Sequence, residues 1–236
     1  AEEVLARVSN HLAVQRLERE IRKSRDELDQ ELASAAEMQR MLLPSPLLQV
    51  DGWSFAAHYE TSRHVGGDYY DVVQLPDDQI GVLIADVSGH GANSAIVMAM
   101  LRAVFHTLPQ PPVDPPRALR FINDHFKYLW GTAMLATVLY AVVDTRSLRL
   151  RMSRAGHFPP LRLQNGNVEE VEGEGTLPLL LMDLPPIPCE EHGLRPGDQL
   201  LFYTDGVTEC EDPAGTMYEV DRLKEAFPTS GALPPR

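Results

Sequence analysis

The first 43 residues contain neither glycine nor proline, and this absence is the feature that most constrains the fold. They are mostly Glu, Arg, Ala, Leu, Gln and Lys, residues with high helix propensity. Apolar side chains recur at spacings of four and seven, as at Leu17, Ile21 and Leu28. This spacing predicts one amphipathic helix over residues 1–43, with a narrow apolar stripe typical of a coiled coil. Pro44 should end the helix, since proline lacks the amide hydrogen that helical bonding needs.

A coiled coil over residues 1–43 predicts a homodimer. The alternative is a solvated helix that lies along its own domain. Because the chain begins at Ala1 rather than at methionine, we also expect it to be part of a longer protein.

The charge balance separates this helix from the rest of the chain. Residues 1–46 hold seven basic and nine acidic side chains, whereas the remainder holds 14 and 25, so nearly all of the net charge of −13 lies in the second part. This acidity argues against binding to nucleic acid or to an anionic membrane, both of which require Lys and Arg. Two cysteines are too few for a disulfide framework, so we expect a cytoplasmic protein.

Residues 44–236 alternate between predicted strands and predicted helices. Strands are expected where apolar and β-branched residues cluster, and helices where apolar residues recur every three or four positions. The order of these elements predicts an α+β domain in which helices pack on antiparallel sheets. The predicted strands are 53–60, 68–75, 79–87, 134–143, 147–153, 158–163, 167–171 and 199–204, and the predicted helices are 92–108 and 114–130. Turns at Pro76-Asp77-Asp78 and Asn165-Gly166 should close two of the hairpins.

Aspartate stands close to glycine at three places where a predicted strand begins or ends. The segments are Gly66-Gly67-Asp68, Ala85-Asp86-Val87-Ser88-Gly89-His90-Gly91 and Tyr203-Thr204-Asp205-Gly206. One such pair is most often an ordinary turn, but three of them predict carboxylates that project past one sheet edge. Carboxylates about 5 Å apart repel each other by roughly 3 kcal/mol at an effective dielectric near 20, so such a cluster must bind protons or cations. Oxygen ligands favour Mg²⁺ or Mn²⁺ over zinc.

Five longer motifs contain or flank these aspartates. They are V-G-G-D-Y-Y-D-V (65–72), A-D-V-S-G-H-G (85–91), A-T-V-L-Y-A-V-V-D (136–144), R-A-G-H-F-P-P-L (154–161) and L-F-Y-T-D-G-V-T-E (201–209). In this order and at these separations they resemble the SpoIIE/RsbU branch of PPM-type (protein phosphatase 2C-like) serine/threonine phosphatases. The segment A-E-M-Q-R-M-L-L-P (36–44) similarly resembles the helix that enters such domains from an upstream sensor or receiver module.

The resemblance implies a PPM-type β-sandwich flanked by α-helices, with a site for two Mn²⁺ or Mg²⁺ ions at one edge. It implies that Asp86 bridges the two ions and that the carbonyl of Val87 binds one of them. Asp68 and Asp205 would supply further carboxylates. Water activated by the two ions would then attack the phosphorus of a phosphoserine or phosphothreonine.

Other residues near these motifs are weaker candidates. His90 and His157 could act as general acids or bind phosphate, or could be structural. Arg63 could contact the substrate phosphate through its guanidinium group, but an ordinary surface arginine is the favoured interpretation. Ser88 stands near His90, yet without a G-x-S-x-G elbow it is better explained as part of a metal-binding turn than as a nucleophile.

Two departures from the family pattern leave an alternative open. Residues 44–236 end without the last strand and its Asp-Asp-x-Thr motif, whose aspartate is a metal ligand in the family, and Arg154 stands where Asn or Ser is more usual. The alternative is a phosphatase-like adaptor domain of an RssB-type response regulator, which would bind a sigma factor or another partner for proteolysis. Degenerate adaptors of that kind lack the metal-binding aspartates, whereas this chain keeps Asp68, Asp86 and Asp205. We therefore predict an enzyme that acts on a phosphorylated regulatory protein, such as an anti-anti-sigma factor, in bacterial stress signalling.

Overall fold

The computed structural model describes residues 2–62, 64–108 and 113–230. Arg63, the candidate phosphate contact, lies outside these ranges, as do residues 231–236. The helices are α1 (Glu2–Arg40), α2 (Ala92–His106), α3 (Pro115–His125), α4 (Asp205–Thr208) and α5 (Glu219–Ser230). The strands are β1 (Tyr69–Leu75), β2 (Gln79–Val87), β3 (Ala136–Asp144), β4 (Arg149–Ala155), β5 (Leu161–Gln164), β6 (Asn167–Glu170), β7 (Glu190–Gly193) and β8 (Gln199–Leu201).

Helix α1 is confirmed but ends at Arg40, three residues before the predicted end at residue 43. Its apolar stripe is open to solvent, with Leu17, Ile21 and Leu28 exposed to 58%, 68% and 55%. The coiled coil therefore stays a prediction. In the described ranges, no helix combines the length and the apolar character that are needed to cross a membrane.

Two antiparallel sheets form the domain that follows α1. The larger sheet has the order β1-β2-β3-β4-β7, and the smaller has the order β6-β5-β8. Both predicted turns are confirmed. Asp77 and Asp78 have φ values of 57°, and Asn165 and Gly166 have φ values of 52° and 83°. Asn165 and Gly166 form a two-residue loop between Gln164 and Asn167, whereas three residues separate Leu75 from Gln79. Positive φ at both residues matches the twist of a two-residue hairpin, which explains why Asn-Gly stands there.

Side-chain alternation along the central strands divides the core between the two faces of the larger sheet. Leu83 and Tyr140 pack with helices α2 and α3 on one face. Ile84 and Leu139, one position along each strand, face the opposite way and pack with Leu200 of β8. On the far side of the smaller sheet, residues of β5 and β8 pack against α5. The result is a helix–sheet–sheet–helix sandwich, so the predicted α+β sandwich flanked by helices is confirmed.

Some predicted elements are wrong or shorter. Residues 53–60 do not form a strand, because only Trp53 makes an isolated bridge, to Val50, and no described strand pairs with the rest. An apolar, extended segment becomes a strand only when a neighbouring strand satisfies its backbone groups. The helix predicted over 114–130 ends at His125 and is followed by a 3₁₀ turn. Strand β7 was missed because its sequence, Glu-Glu-His-Gly, is polar.

Candidate active site

Strand register brings two of the predicted aspartates together at one edge of the larger sheet. Tyr69 of β1 pairs with Ala85 of β2, so that Asp68, one residue earlier, faces Asp86, one residue later. The two carboxyl groups hydrogen-bond to each other. Asp205 is the first residue of α4, directly after the β8 region, and its charge acts on both of the other carboxylates. All three predicted aspartates therefore meet at this edge.

Burial and mutual repulsion change the protonation of this cluster. The pKa of Asp86 is raised from 3.8 to about 7, first by burial and then by the negative charges of Asp68 and Asp205. The pKa of Asp68 is also raised, again first by burial and then by Asp205. Thr204 partly opposes this increase, because its hydroxyl donates a hydrogen bond to Asp68 Oδ2 at 3.3 Å. Asp86 thus keeps its proton to a higher pH than an ordinary aspartate, and a bound cation would relieve the same repulsion.

Gly67 allows the loop before Asp68 to approach the carbonyl of Val87. A Cβ atom on Gly67 would lie 2.3 Å from the oxygen of Val87 and 3.1 Å from Cβ of Ser94. Any larger residue would therefore displace either the Asp68 loop or the end of β2. The carbonyl that the resemblance implies as a metal ligand consequently lies directly against the loop that carries Asp68.

The turn after Val87 is tied to the next part of the sheet. The amide of Ser88 donates to the carbonyl of Leu135 at 2.8 Å, and the Ser88 hydroxyl accepts from the Leu135 amide at 3.0 Å. Gly89 and Gly91 have φ values of 87° and 85°, which L-residues rarely adopt. Ser88 is thus bonded to backbone in the turn between β2 and α2, as expected for a structural role.

The two candidate histidines lie in different environments. His90 is exposed at the tip of the turn. His157 is only 4% exposed, and its Nδ1 hydrogen-bonds the hydroxyl of Thr137 at 2.9 Å. Thr137 pairs with Asp86 across β2 and β3, so His157 supports the site from within the core. Burial lowers the pKa of His157 to about 4. A buried, neutral imidazole is suited to orienting neighbours rather than to binding a phosphoryl group.

Arg154 gives a structural reason for one departure from the family pattern. Its guanidinium donates to the carbonyl of His157 at 3.0 Å and also to the carbonyl of Gly173. The arginine therefore holds the Ala-Gly-His turn against the following loop, where a shorter Asn or Ser could not span the same distance.

Two residues near the aspartates were not identified from the sequence. Glu209 lies one helical turn after Asp205, with its amide 2.7 Å from the carbonyl of Asp205, and its charge contributes to the raised pKa of Asp86. The four-residue spacing in T-D-G-V-T-E was a usable signal for it. Gln39, near the end of α1, is buried against Gly66. Nothing in the local pattern distinguished it from the other glutamines of the helix.

The donor set suits a hard divalent cation, although it is not arranged as a closed cage. Among the described residues, no group of three or more His, Cys, Asp or Glu side chains surrounds one point as a metal ion would require. Yet three carboxylates and a backbone carbonyl are the oxygen donors that Mg²⁺ and Mn²⁺ prefer. The negative charges of Asp68 and Asp205 act on Asp86, so a cation bound beside these carboxylates would be stabilised. The residues present therefore fit such an ion.

A helix–sheet–sheet–helix sandwich with aspartates gathered at strand ends defines a PPM-type phosphatase domain. The chain belongs to the SpoIIE family, because the family model described as Stage II sporulation protein E (SpoIIE) matches residues 76–236. The family resemblance stated from the motifs is thereby confirmed.

Individual relatives agree with this assignment. The chain is 26% identical over 206 residues to phosphoserine phosphatase RsbU of Bacillus subtilis (strain 168), a match that covers 86% of this chain and 61% of RsbU. It is 26% identical over 199 residues to phosphoserine phosphatase RsbP of the same organism, covering 83% of this chain and 48% of RsbP. The chain thus spans less than two thirds of the length of either relative.

A solved structure shows the same fold. The SiaA-PP2C domain of Pseudomonas aeruginosa has a TM-score of 0.78 at 20% identity, over 89% of this chain and 85% of that one. The predicted PPM-type sandwich is therefore confirmed.

Proposed function

We propose that this chain is a Mn²⁺- or Mg²⁺-dependent phosphatase of phosphoserine and phosphothreonine in proteins. The observation that carries the proposal is the hydrogen-bonded pair Asp68 and Asp86, with Asp205 beside it, at the edge of the sandwich. Two divalent cations bound there would activate a water molecule and neutralise charge on the phosphoryl oxygens. The raised pKa values supply a physical reason for cation binding, because each bound cation relieves repulsion between carboxylates that otherwise must hold protons.

The residues of the chain would supply the ligands of the two cations and hold them in place. Asp86 would contact both cations, Asp68 and Asp205 would each complete the oxygen ligands, and the carbonyl of Val87 would bind one cation. Thr204 holds Asp68 through its hydroxyl group, and this bond favours the charged carboxylate that a cation needs.

The proposed substrate is a phosphorylated regulatory protein, such as an anti-anti-sigma factor, in the bacterial cytoplasm. Support comes from RsbU and RsbP, both of which are named phosphoserine phosphatases. An adaptor that binds a sigma factor without hydrolysis would not require the aspartates to be gathered in this way.

Phosphate release tests the proposal directly. An aryl phosphate and a phosphoserine protein would each be incubated with this protein, with Mn²⁺ or with EDTA. We expect Mn²⁺-dependent release that is lost in Asp86→Ala but kept in Asp183→Ala, which removes an exposed carboxylate elsewhere. If the unaltered protein releases no phosphate with Mn²⁺, the phosphatase proposal is wrong and the adaptor alternative gains support.

We further propose that the protein dimerises through residues 1–43 and receives its input from a sensor or receiver domain upstream. The exposed stripe of Leu17, Ile21 and Leu28 supports this, since burying it in a coiled coil removes apolar area from water. Light scattering should give the mass of a dimer for the whole chain and of a monomer for Ile21→Lys, whereas Gln30→Lys on the same helix should remain dimeric. A monomeric mass for the unaltered chain would contradict the proposal.

A further inference from the structure

The end of helix α1 is hydrogen-bonded to the loop that carries Asp68. Gln39 is 5% exposed, and its side-chain Nε2 donates to the carbonyl of Gly66 at 2.6 Å. In the opposite direction, the amide of Gly66 donates to Gln39 Oε1 at 3.1 Å. One carboxamide therefore satisfies both backbone groups of a residue that lies 27 positions away and only two positions before Asp68. No other residue type of this length offers a donor and an acceptor side by side without charge.

The same loop is enclosed on its other sides. A Cβ atom on Gly67 would clash with the carbonyl oxygen of Val87, and a Cβ atom on Gly66 would lie 2.9 Å from Cγ2 of Thr61. Val65, at the start of the loop, is buried. The loop therefore has little room to shift toward β2 or toward residue 61. The Gln39 carboxamide closes the side that faces α1.

Helix α1 is itself anchored where it meets the domain. Nε of Arg102, in α2, donates to the carbonyl of Leu42 at 2.5 Å. Leu43 is buried in the cluster that α2 and α3 form with the larger sheet. Helix α2 begins directly after the turn that follows Val87. Gln39 of α1 thus holds the Asp68 loop, while Leu42, just after α1, is held to α2.

We propose that Gln39 is a positioning residue that sets the placement of Asp68 relative to Asp86, and through it the affinity of the site for divalent cations. The link to cations rests on the proposed function, whereas the effect on the loop does not. Gln39 contacts no reacting atom in this proposal, because it acts only through the backbone of Gly66. Without its two hydrogen bonds, the Gly66 amide and carbonyl lose their partners and the loop gains alternative positions.

Two substitutions remove the contact in different ways. Gln39→Glu keeps the shape but replaces the donor with a carboxylate that repels the Gly66 carbonyl. Gln39→Met keeps length and helix propensity without any polar group, and serves if the charged variant does not fold. Gln30→Glu and Gln30→Met, at an exposed position of the same helix, are the matched controls.

Three measurements separate positioning from simple destabilisation. Hydrogen exchange of the amides at residues 66–69 is followed in metal-free protein, Mn²⁺ affinity is measured by calorimetry, and the melting temperature is measured without metal. Both Gln39 variants should show faster exchange in this loop and about tenfold weaker Mn²⁺ binding, the size typical of losing an outer-shell contact. Their kcat at saturating Mn²⁺ should return toward that of the unaltered protein, and the Gln30 variants should match it throughout.

Exchange and Mn²⁺ affinity that stay unchanged in both Gln39 variants would overturn the positioning role, even if the melting temperature falls. An unaltered protein that hydrolyses no phosphate, but whose loop exchange depends on Gln39, would overturn the proposed phosphatase activity and keep the positioning role. The two ideas can therefore fail separately.

Discussion

Replacing Asp86 with asparagine should stabilise the metal-free protein at alkaline pH while it removes the proposed activity. In the native state Asp86 keeps its proton up to about pH 7, whereas an unfolded chain releases it near the ordinary value of 3.8. As the pH rises between these two values, the unfolded state is favoured, because it gives up its proton more readily. Asparagine cannot ionise, so the unfolding free energy of Asp86→Asn should not fall in this way as the pH rises.

The size of the effect follows from the change in pKa. The difference between 3.8 and about 7 corresponds to about 4 kcal/mol of unfolding free energy at about 1.4 kcal/mol per tenfold change. Because Asp86 is only half-buried, solvent screening reduces this value, and we expect a gain of about 1–2 kcal/mol. The gain should be present in full above about pH 7 and should fall toward zero near pH 4, where both states of the unaltered protein bind the proton.

Urea unfolding in EDTA at about pH 4.5 and about pH 8 measures this difference. Asp183→Asn is the matched control, since it removes one negative charge from the same acidic domain at an exposed position. Added Mn²⁺ should stabilise the unaltered protein by mass action and should not stabilise Asp86→Asn to the same extent.

The reasoning would be refuted if Asp86→Asn were no more stable than the unaltered protein at pH 8. It would equally be refuted if the variant gained as much at pH 4.5 as at pH 8, because relief from ionisation can act only where the carboxylate would ionise. A gain of the same size in Asp183→Asn would assign the effect to net charge instead.

Three further substitutions test other parts of the site. Gly67→Ala forces a Cβ atom to within 2.3 Å of the backbone oxygen of Val87, so the free energy of unfolding in urea should fall by about 1–3 kcal/mol. Gly193→Ala is the control, because no atom lies within 4 Å of its new Cβ, and it should cause no such loss. His157 is buried and has a pKa of about 4 against an ordinary 6.5, so the unaltered protein should lose stability as the pH falls from about 6.5 to about 4. The unfolding free energy of His157→Leu should depend less on pH over this range. An equal pH dependence in the two proteins would contradict the burial argument. Thr204→Val removes the hydrogen bond that lowers the pKa of Asp68, so half-maximal Mn²⁺ binding should move to higher pH, and an unmoved midpoint would show that the bond is unimportant.

Elements with short-range signals were predictable from the sequence. A run without glycine or proline predicted α1, and Asn165-Gly166 predicted a hairpin, because helix propensity and positive φ are properties of one or a few neighbouring residues. Residues 53–60 and strand β7 show the limit of such signals. The first segment has strand-like composition without a partner, and the second has a partner without strand-like composition. Pairing between distant segments decided both cases.

The candidate site likewise has features that local sequence predicts and features that only the fold creates. Asp68, Asp86 and Asp205 were found because each stands close to a glycine where a predicted strand begins or ends, and that pattern can be read locally. The raised pKa of Asp86 depends on charges and burial that only the folded chain brings together. Thr204 reaches Asp68 across 136 residues of sequence. The sequence alone thus determined which groups can do the chemistry. Tertiary structure decided how strongly they interact, because electrostatic and hydrogen-bond energies depend on distance and solvent rather than on order along the chain.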